Sequence, residues 1–174
     1  MEPVKGGSLV NLPPEAQQVI DALGQKNSNA SYAIRFAAGF PNVFMVLSGM
    51  SNLAQMEDNI GCMKEFRPLS ETEKKAVADV CRVYRTLGMV SCTGCKYCVL
   101  DNDCPKKIPI PALFACFNKK NIFRSWNEDH YYRVATNGTG KASDCIGCGK
   151  CEKICPQHLP IRTLLAAVAK EFDK

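Results

Sequence analysis

Apolar residues recur at helical spacing through most of the chain, in short blocks punctuated by glycine and proline. Segment 11–24, NLPPEAQQVIDALG, opens on prolines, sets Ala16, Val19, Ile20 and Leu23 on one helical face, and stops at Gly24. Segment 28–39, SNASYAIRFAAG, reads as a second helix closed by Gly39. The pattern then changes. Residues 43–48, within NVFMVLSG, form a continuous apolar run of the kind expected for a strand buried on both faces of a parallel sheet. A third helix follows in NLAQMEDNI, with Ser51 as its cap and Leu53, Met56 and Ile60 facing inward. Helix and strand in alternation predict an α/β arrangement, yet only 43–48 and a stub in MEPV read as strands, far short of a closed barrel.

Residues 69–88 give the clearest helix. Ser70 and Glu73 predict a capping box, and Val77, Val80, Cys81, Tyr84 and Leu87 predict one apolar stripe. The helix reads as a connector between two halves. From Ser91 onward the chain changes to cysteine, glycine, proline and short helices, which places a boundary at 67–90.

Composition sharpens this change. Eleven of 174 residues are cysteine, an odd number and a density below that of a disulfide scaffold. No apolar run is long enough for a signal peptide or a membrane span, so a cytoplasmic protein with reduced thiols is expected. The formal charge of +5 counts cysteines as neutral. Eight thiolates around two cores of charge +2 would bring it to about +1. Lysines and arginines are interspersed with acids, and no nucleic-acid motif accompanies them, so neither a nucleic acid nor a membrane is expected as a partner.

The cysteines fall into an internal duplication. Cys92, Cys95 and Cys98 match Cys145, Cys148 and Cys151, and Cys104-Pro105 matches Cys155-Pro156. KKIPIPALFA after the first lines up with QHLPIRTLLA after the second, so each unit is a thiol-rich loop followed by a covering helix. Three thiols separated by two residues suit three corners of a cubane cluster. Structural zinc draws instead on two close pairs from separate places, and a redox dithiol needs one pair only. Gly94 and Gly147 would let backbone amides approach the cluster sulfurs, and Pro105 and Pro156 would turn the chain away. Cys62, Cys81 and Cys116 read as core residues. His130 and His158 lack metal-spaced partners, and Lys106 and Lys107 read as a solvated face that could also guide an acidic electron donor.

The duplicated pattern resembles that of two-cluster ferredoxins. Their cysteine before proline serves the other cluster. The resemblance implies two 4Fe-4S clusters, one on Cys92, Cys95, Cys98 and Cys155, the other on Cys145, Cys148, Cys151 and Cys104. The first loop departs from the pattern by holding five residues between Cys98 and Cys104, an insertion more easily tolerated if Cys104 leaves its own loop.

The wider order resembles a known family too. AIRFAAGFPNVFMVLSGMSNLAQMEDNI, residues 33–60, is similar to the last barrel unit of the aldo/keto reductases, and MEPVKGG to the strand before it. Followed by a capped helix and two cysteine triplets, the order resembles the iron-sulfur aldo/keto reductases. The resemblance implies a mixed, mostly α fold: a C-terminal fragment of a (β/α) barrel at 1–66, a connecting helix at 67–90, and an α-helical dicluster ferredoxin-like domain at 91–174. It implies iron-sulfur electron transfer within an NADP-dependent oxidoreductase. Gly49, Met50, Ser51, Gln55, Asp58 and Asn59 stand where that family holds the phosphate end of NADP, with Asp58 in place of the usual glutamate. NADP is expected only if the rest of the barrel is present. The family's catalytic residues lie on earlier strands that have no counterpart here, so no catalytic residue is named and the chain alone is not expected to be an active enzyme. The implied partners are a redox protein or the missing barrel portion. The alternative is a stand-alone electron carrier or interaction module, and a third reading makes the clusters mere staples.

Overall fold

The computed structural model describes residues 2–174 and divides them into two compact units that meet between Thr86 and Leu87. Regular structure among the described residues is helical throughout.

The first unit contains α1 (Pro14–Asp21), α2 (Asn29–Ala38), α3 (Leu53–Lys64) and α4 (Glu71–Thr86). Ser28 caps α2 by accepting the Ser31 N–H. α1 and α2 pack on α4 around Ala16, Ile20, Tyr32, Ile34, Ala76, Val80 and Tyr84. The expected capping box forms: Ser70 N–H donates to Glu73 Oε2 at 2.7 Å, and Glu73 N–H donates to Ser70 Oγ at 3.3 Å. Glu73 does more than cap. Its carboxylate faces inward and takes two bonds from the Arg35 guanidinium, at 2.7 and 2.9 Å, with side-chain exposures of 12% for Arg35 and 4% for Glu73.

This buried pair sets the phase of α4. The buried face runs through Glu73, Ala76, Val80 and Tyr84, so Cys81 and Leu87 are exposed rather than part of the expected stripe. The Arg35 hydrogen bonds outweigh burial and, with the Ser70 amide, hold the Glu73 carboxyl below its ordinary range. A carboxyl depressed in the folded state stabilises fully above its unfolded pKa of about 4.3 and loses that contribution as pH falls through the folded value. In unfolding curves of the first unit measured against pH, Glu73→Gln should remove the acid-side loss that this group causes. Arg35→Ala should cost about 3–5 kcal/mol at neutral pH, because it leaves a buried carboxylate without its partner.

Three expectations for this unit are corrected. Residues 43–48 form no strand, and Phe44 is 95% exposed. A strand requires a neighbour to take its backbone donors and acceptors, and no other strand exists among the described residues to do so. The stub in MEPV is likewise absent: Met1 lies outside the described residues, and 3–10 run as successive turns closed by bonds such as Lys5 N–H to the Glu2 carbonyl. The partial (β/α) segment is therefore not formed, and the unit is α-helical. Finally, α3 buries none of its residues; Leu53, Met56 and Ile60 are exposed because no layer of this unit covers that face.

The second unit contains α5 (Tyr97–Leu100), α6 (Ile110–Asn121), α7 (Glu128–Ala135), a 3-10 turn (Ala142–Asp144), α8 (Lys150–Lys153) and α9 (Ile161–Phe172). α6 packs on α7 and α9, while α5 packs on α8. Phe114, Ile108, Ile110, Leu113, Ile161, Leu165 and Val168 form the centre. Among the described residues no helix is long and apolar enough to cross a membrane.

Candidate metal centre

The duplication is repeated in the backbone. Gly94 and Gly147 take φ of +69° and +72°, and Lys96 and Gly149 follow at +66° and +73°. These left-handed steps turn each loop sharply between its first and third cysteine. Past the Cys-Pro pair the paths stay equivalent. Lys107 N–H donates to the Cys104 carbonyl at 2.9 Å and His158 N–H to the Cys155 carbonyl at 3.0 Å, and then Ile110 and Ile161 open α6 and α9 and are both buried. α6 and α9 therefore cover the loops that precede them, as the sequence pattern predicts.

Two small recesses of similar size lie between the loops. Cys92, Cys95, Cys98 and Cys155 line the first, together with Ile110, Phe114, Leu159 and Ile161. Cys104, Cys145, Cys148 and Cys151 line the second, with Ile108, Ile110, Ile146 and Leu165. Each recess thus collects three thiols from one loop and the cysteine before proline from the other. A close approach makes the crossing of Cys104 feasible: a methyl group on Gly140 would lie 2.2 Å from the Lys106 carbonyl, so only glycine lets the segment after Cys104 reach the start of the second loop.

Cys92, Cys98 and Cys151 are in an environment that opposes their charge. Burial, and then Cys92, Cys151 and their neighbours, pushes Cys98 up to about 11; burial also raises Cys92 and Cys151. The Gly94 amide works in the opposite direction by bonding to the Cys92 sulfur. A bound cation would offset that cost, and metal binding to thiols releases protons. Single-ion chemistry is not built in, however. Among the described residues no three His, Cys, Asp or Glu side chains converge as ligands of one metal ion. Zinc needs four sulfurs about 2.3 Å from one point, whereas thiolates on a cubane each bind their own iron and stand farther apart. The four-thiol, apolar recesses fit the latter. Cys95 and Cys148 are exposed, and Cys98, Cys151 and Cys155 are buried.

Residues 91–159 match the family model of the 4Fe-4S dicluster domain. The match supports an iron-sulfur, ferredoxin-like, metal-binding segment suited to electron transfer. The chain is also similar to subunit alpha 1 of the acetyl-CoA decarbonylase/synthase complex of Methanosarcina acetivorans, with 28% identity over 83 residues. That alignment covers 48% of this chain and 8% of the relative. No solved structure matches the chain.

Outside the dicluster segment, Gly49, Met50, Gln55, Asp58 and Asn59 line an open recess of about 720 Å³ in the first unit. Ser51 is not in its lining and does not cap α3. Asn52 does, accepting the Gln55 N–H at 3.0 Å, while Ser51 N–H donates to Gln55 Oε1 at 2.8 Å. Asp58 accepts the Ser28 hydroxyl at 2.6 Å, and Asn59 donates to Ser48 Oγ at 3.1 Å. Among the described residues the lining carries two acids, Glu2 and Asp58, and no lysine or arginine side chain to meet a phosphate.

Of the other cysteines, Cys116 is buried in the core of the second unit, Cys62 is half-buried with its thiol donating to the Asn59 carbonyl, and Cys81 is exposed because α4 turns its Glu73 face inward. His130, His158, Lys106 and Lys107 are all exposed. Sequence reasoning passed over Gly140 and the side chains that hold the loops from behind, Asn118, Tyr132 and Asp173. Apart from the bond between Tyr132 and Asp173, their partners are backbone atoms, which leave no pattern in a sequence.

Proposed function

We propose that the second unit holds two 4Fe-4S clusters with exchanged ligands, Cys92, Cys95, Cys98 and Cys155 on one and Cys145, Cys148, Cys151 and Cys104 on the other, and serves as a one-electron relay. The gathering of eight thiols into two recesses in that combination carries the reading. When bound, such a cluster supplies reversible one-electron storage. The chain's own residues do the rest. The thiols hold the irons, the Gly94 amide bonds to sulfur, and Phe114, Ile110 and Ile161 exclude water from the buried side, while Cys95 and Cys148 mark the side open to an electron donor or acceptor.

The finer reading sets this relay in an iron-sulfur aldo/keto reductase, with the first unit completed by barrel strands from elsewhere. The resemblance of residues 33–60 supports it, as do the apolar side chains of 43–60 that nothing in this unit covers. On this reading NADP is held only with those strands in place, and the partner is the remaining barrel or a redox protein. A stand-alone electron carrier is favoured instead by one observation, the acidic lining around Asp58.

Anaerobic reconstitution followed by iron and sulfide analysis tests the relay. Eight irons per chain and a visible band that bleaches and returns through repeated reduction and oxidation are expected. A colourless protein with two zinc ions rules the clusters out, and iron whose spectrum never responds to reductant leaves them as staples. NADPH titration of the same material separates the two contexts: saturable binding once barrel strands are supplied supports the reductase, and none under that condition supports the carrier.

A further inference from the structure

The two cysteine loops are each pinned two residues ahead of their first thiol, at Val90 before Cys92 and at Ser143 before Cys145. At the first, Asn118 of α6 accepts the Val90 N–H and donates to the Val90 carbonyl, both at 2.8 Å. At the second, Ser143 N–H donates to Asp173 Oδ2 at 2.9 Å. The same oxygen accepts the Tyr132 hydroxyl at 3.0 Å, and that hydroxyl accepts the buried Ala142 N–H at 3.0 Å.

Val90 and Ser143 occupy equivalent places in the duplication, but the side chains that hold them do not. Asn118 lies inside α6, whereas Asp173 follows the last turn of α9. Copying one loop from the other therefore does not account for the second clamp. Tyr132 is itself fixed, buried and stacked on Phe172 with ring centroids 4.5 Å apart and planes 7° from parallel. The clamps also differ in charge, a neutral amide at one loop and a carboxylate at the other.

We propose that Asp173 is a positioning residue for the second metal centre. Through Ser143 and Tyr132 it fixes the entry of the loop that carries Cys145, and it places beside that loop a negative charge that the first loop lacks at the equivalent point. The inference rests on the two-cluster reading above. Partners that orient ligands from behind govern both how firmly a metal is held and the charge it feels. The two effects separate by substitution. Asp173→Asn retains an acceptor oxygen for Ser143 and removes the charge, and Asp173→Ala removes both. Other nearby charges, Asp144 and Lys106 among them, are unchanged in each comparison.

The test uses the full chain, reconstituted anaerobically and challenged with an iron chelator, after which freed cysteines are alkylated and located by mass spectrometry. Asp173→Ala should release iron from Cys145, Cys148 and Cys151 roughly 10-fold faster or more, the scale expected for an orienting partner, and leave Cys92, Cys95 and Cys98 protected. Asn118→Ala should reverse the pattern. Asp173→Asn should retain eight irons and make one centre easier to reduce in a titration followed by electron paramagnetic resonance. In a Cys104→Ala background, which leaves only the first centre, it should shift nothing. Wild-type iron release and unshifted potentials in both Asp173 variants overturn the inference, as does equal loosening of both loops. A wild-type chain that binds no iron overturns the cluster reading first, and this inference falls with it.

Discussion

Cys155→Ala should cost the protein the centre built on Cys92, Cys95 and Cys98 and spare the one built on Cys145, Cys148 and Cys151, although Cys155 stands only four positions beyond Cys151 in the chain. The recesses dictate this result. Cys155 lines the recess of the first triplet, and Cys104 lines that of the second. Removing a thiolate leaves an iron without its protein ligand inside an apolar wall where no other cysteine of that recess is spare. About four of eight irons should be lost, a complete loss at one site rather than a partial loss at both. Cys104→Ala should give the mirror result. Iron analysis with site-resolved paramagnetic spectra checks both. Loss of the centre nearest in sequence would mean that each loop keeps its own fourth cysteine.

Stripping iron with a chelator should collapse much of the second unit's order while the first unit keeps its own. α5 and α8 are four residues each, too short to persist as helices without tertiary support. The loops that carry them pack through Cys98, Cys151 and Cys155, which belong to the hydrophobic core. Without iron, this core keeps raised-pKa thiols close to one another. In structural metal sites, binding free energy is folding free energy, on the order of 10 kcal/mol. Hydrogen exchange on the full chain should therefore show residues 91–107 and 143–159 losing protection on chelation. The α6, α7 and α9 packing around Phe114 and Leu165 should weaken less, and α1, α2 and α4 should not change. Equal loss in both units, or none in the cysteine loops, contradicts this account.

Much of the second unit was legible because its signals are local or repeated. The cysteine spacing, the Cys-Pro pairs and the apolar positions of α6 and α9 each occur twice, so a coincidence at one copy would have been exposed by the other. The Ser70–Glu73 capping box was legible for a related reason, since both partners lie within one turn. What failed depended on distant partners. Periodicity placed Cys81 on the inner face of α4 because it has no means of foreseeing that Arg35 would draw a glutamate inside and rotate the helix. The run at 43–48 has the composition of a buried strand, but composition does not supply a neighbouring strand, and without one the segment forms no regular structure and is largely exposed. Leu53, Met56 and Ile60 illustrate the same limit, since an apolar face states that cover is needed and says nothing about whether this unit contains it.

The exchange of cysteines between recesses also orders events during synthesis. As the polypeptide leaves the ribosome, Cys104 is already available when Cys145, Cys148 and Cys151 emerge, so the second recess has its full set once Cys151 is made. The first triplet, produced some fifty residues earlier, waits longest, because its remaining partner is Cys155. The nascent chain therefore carries an incomplete set of thiols from Cys92 until Cys155 is made, and the site begun first is the last to be completed.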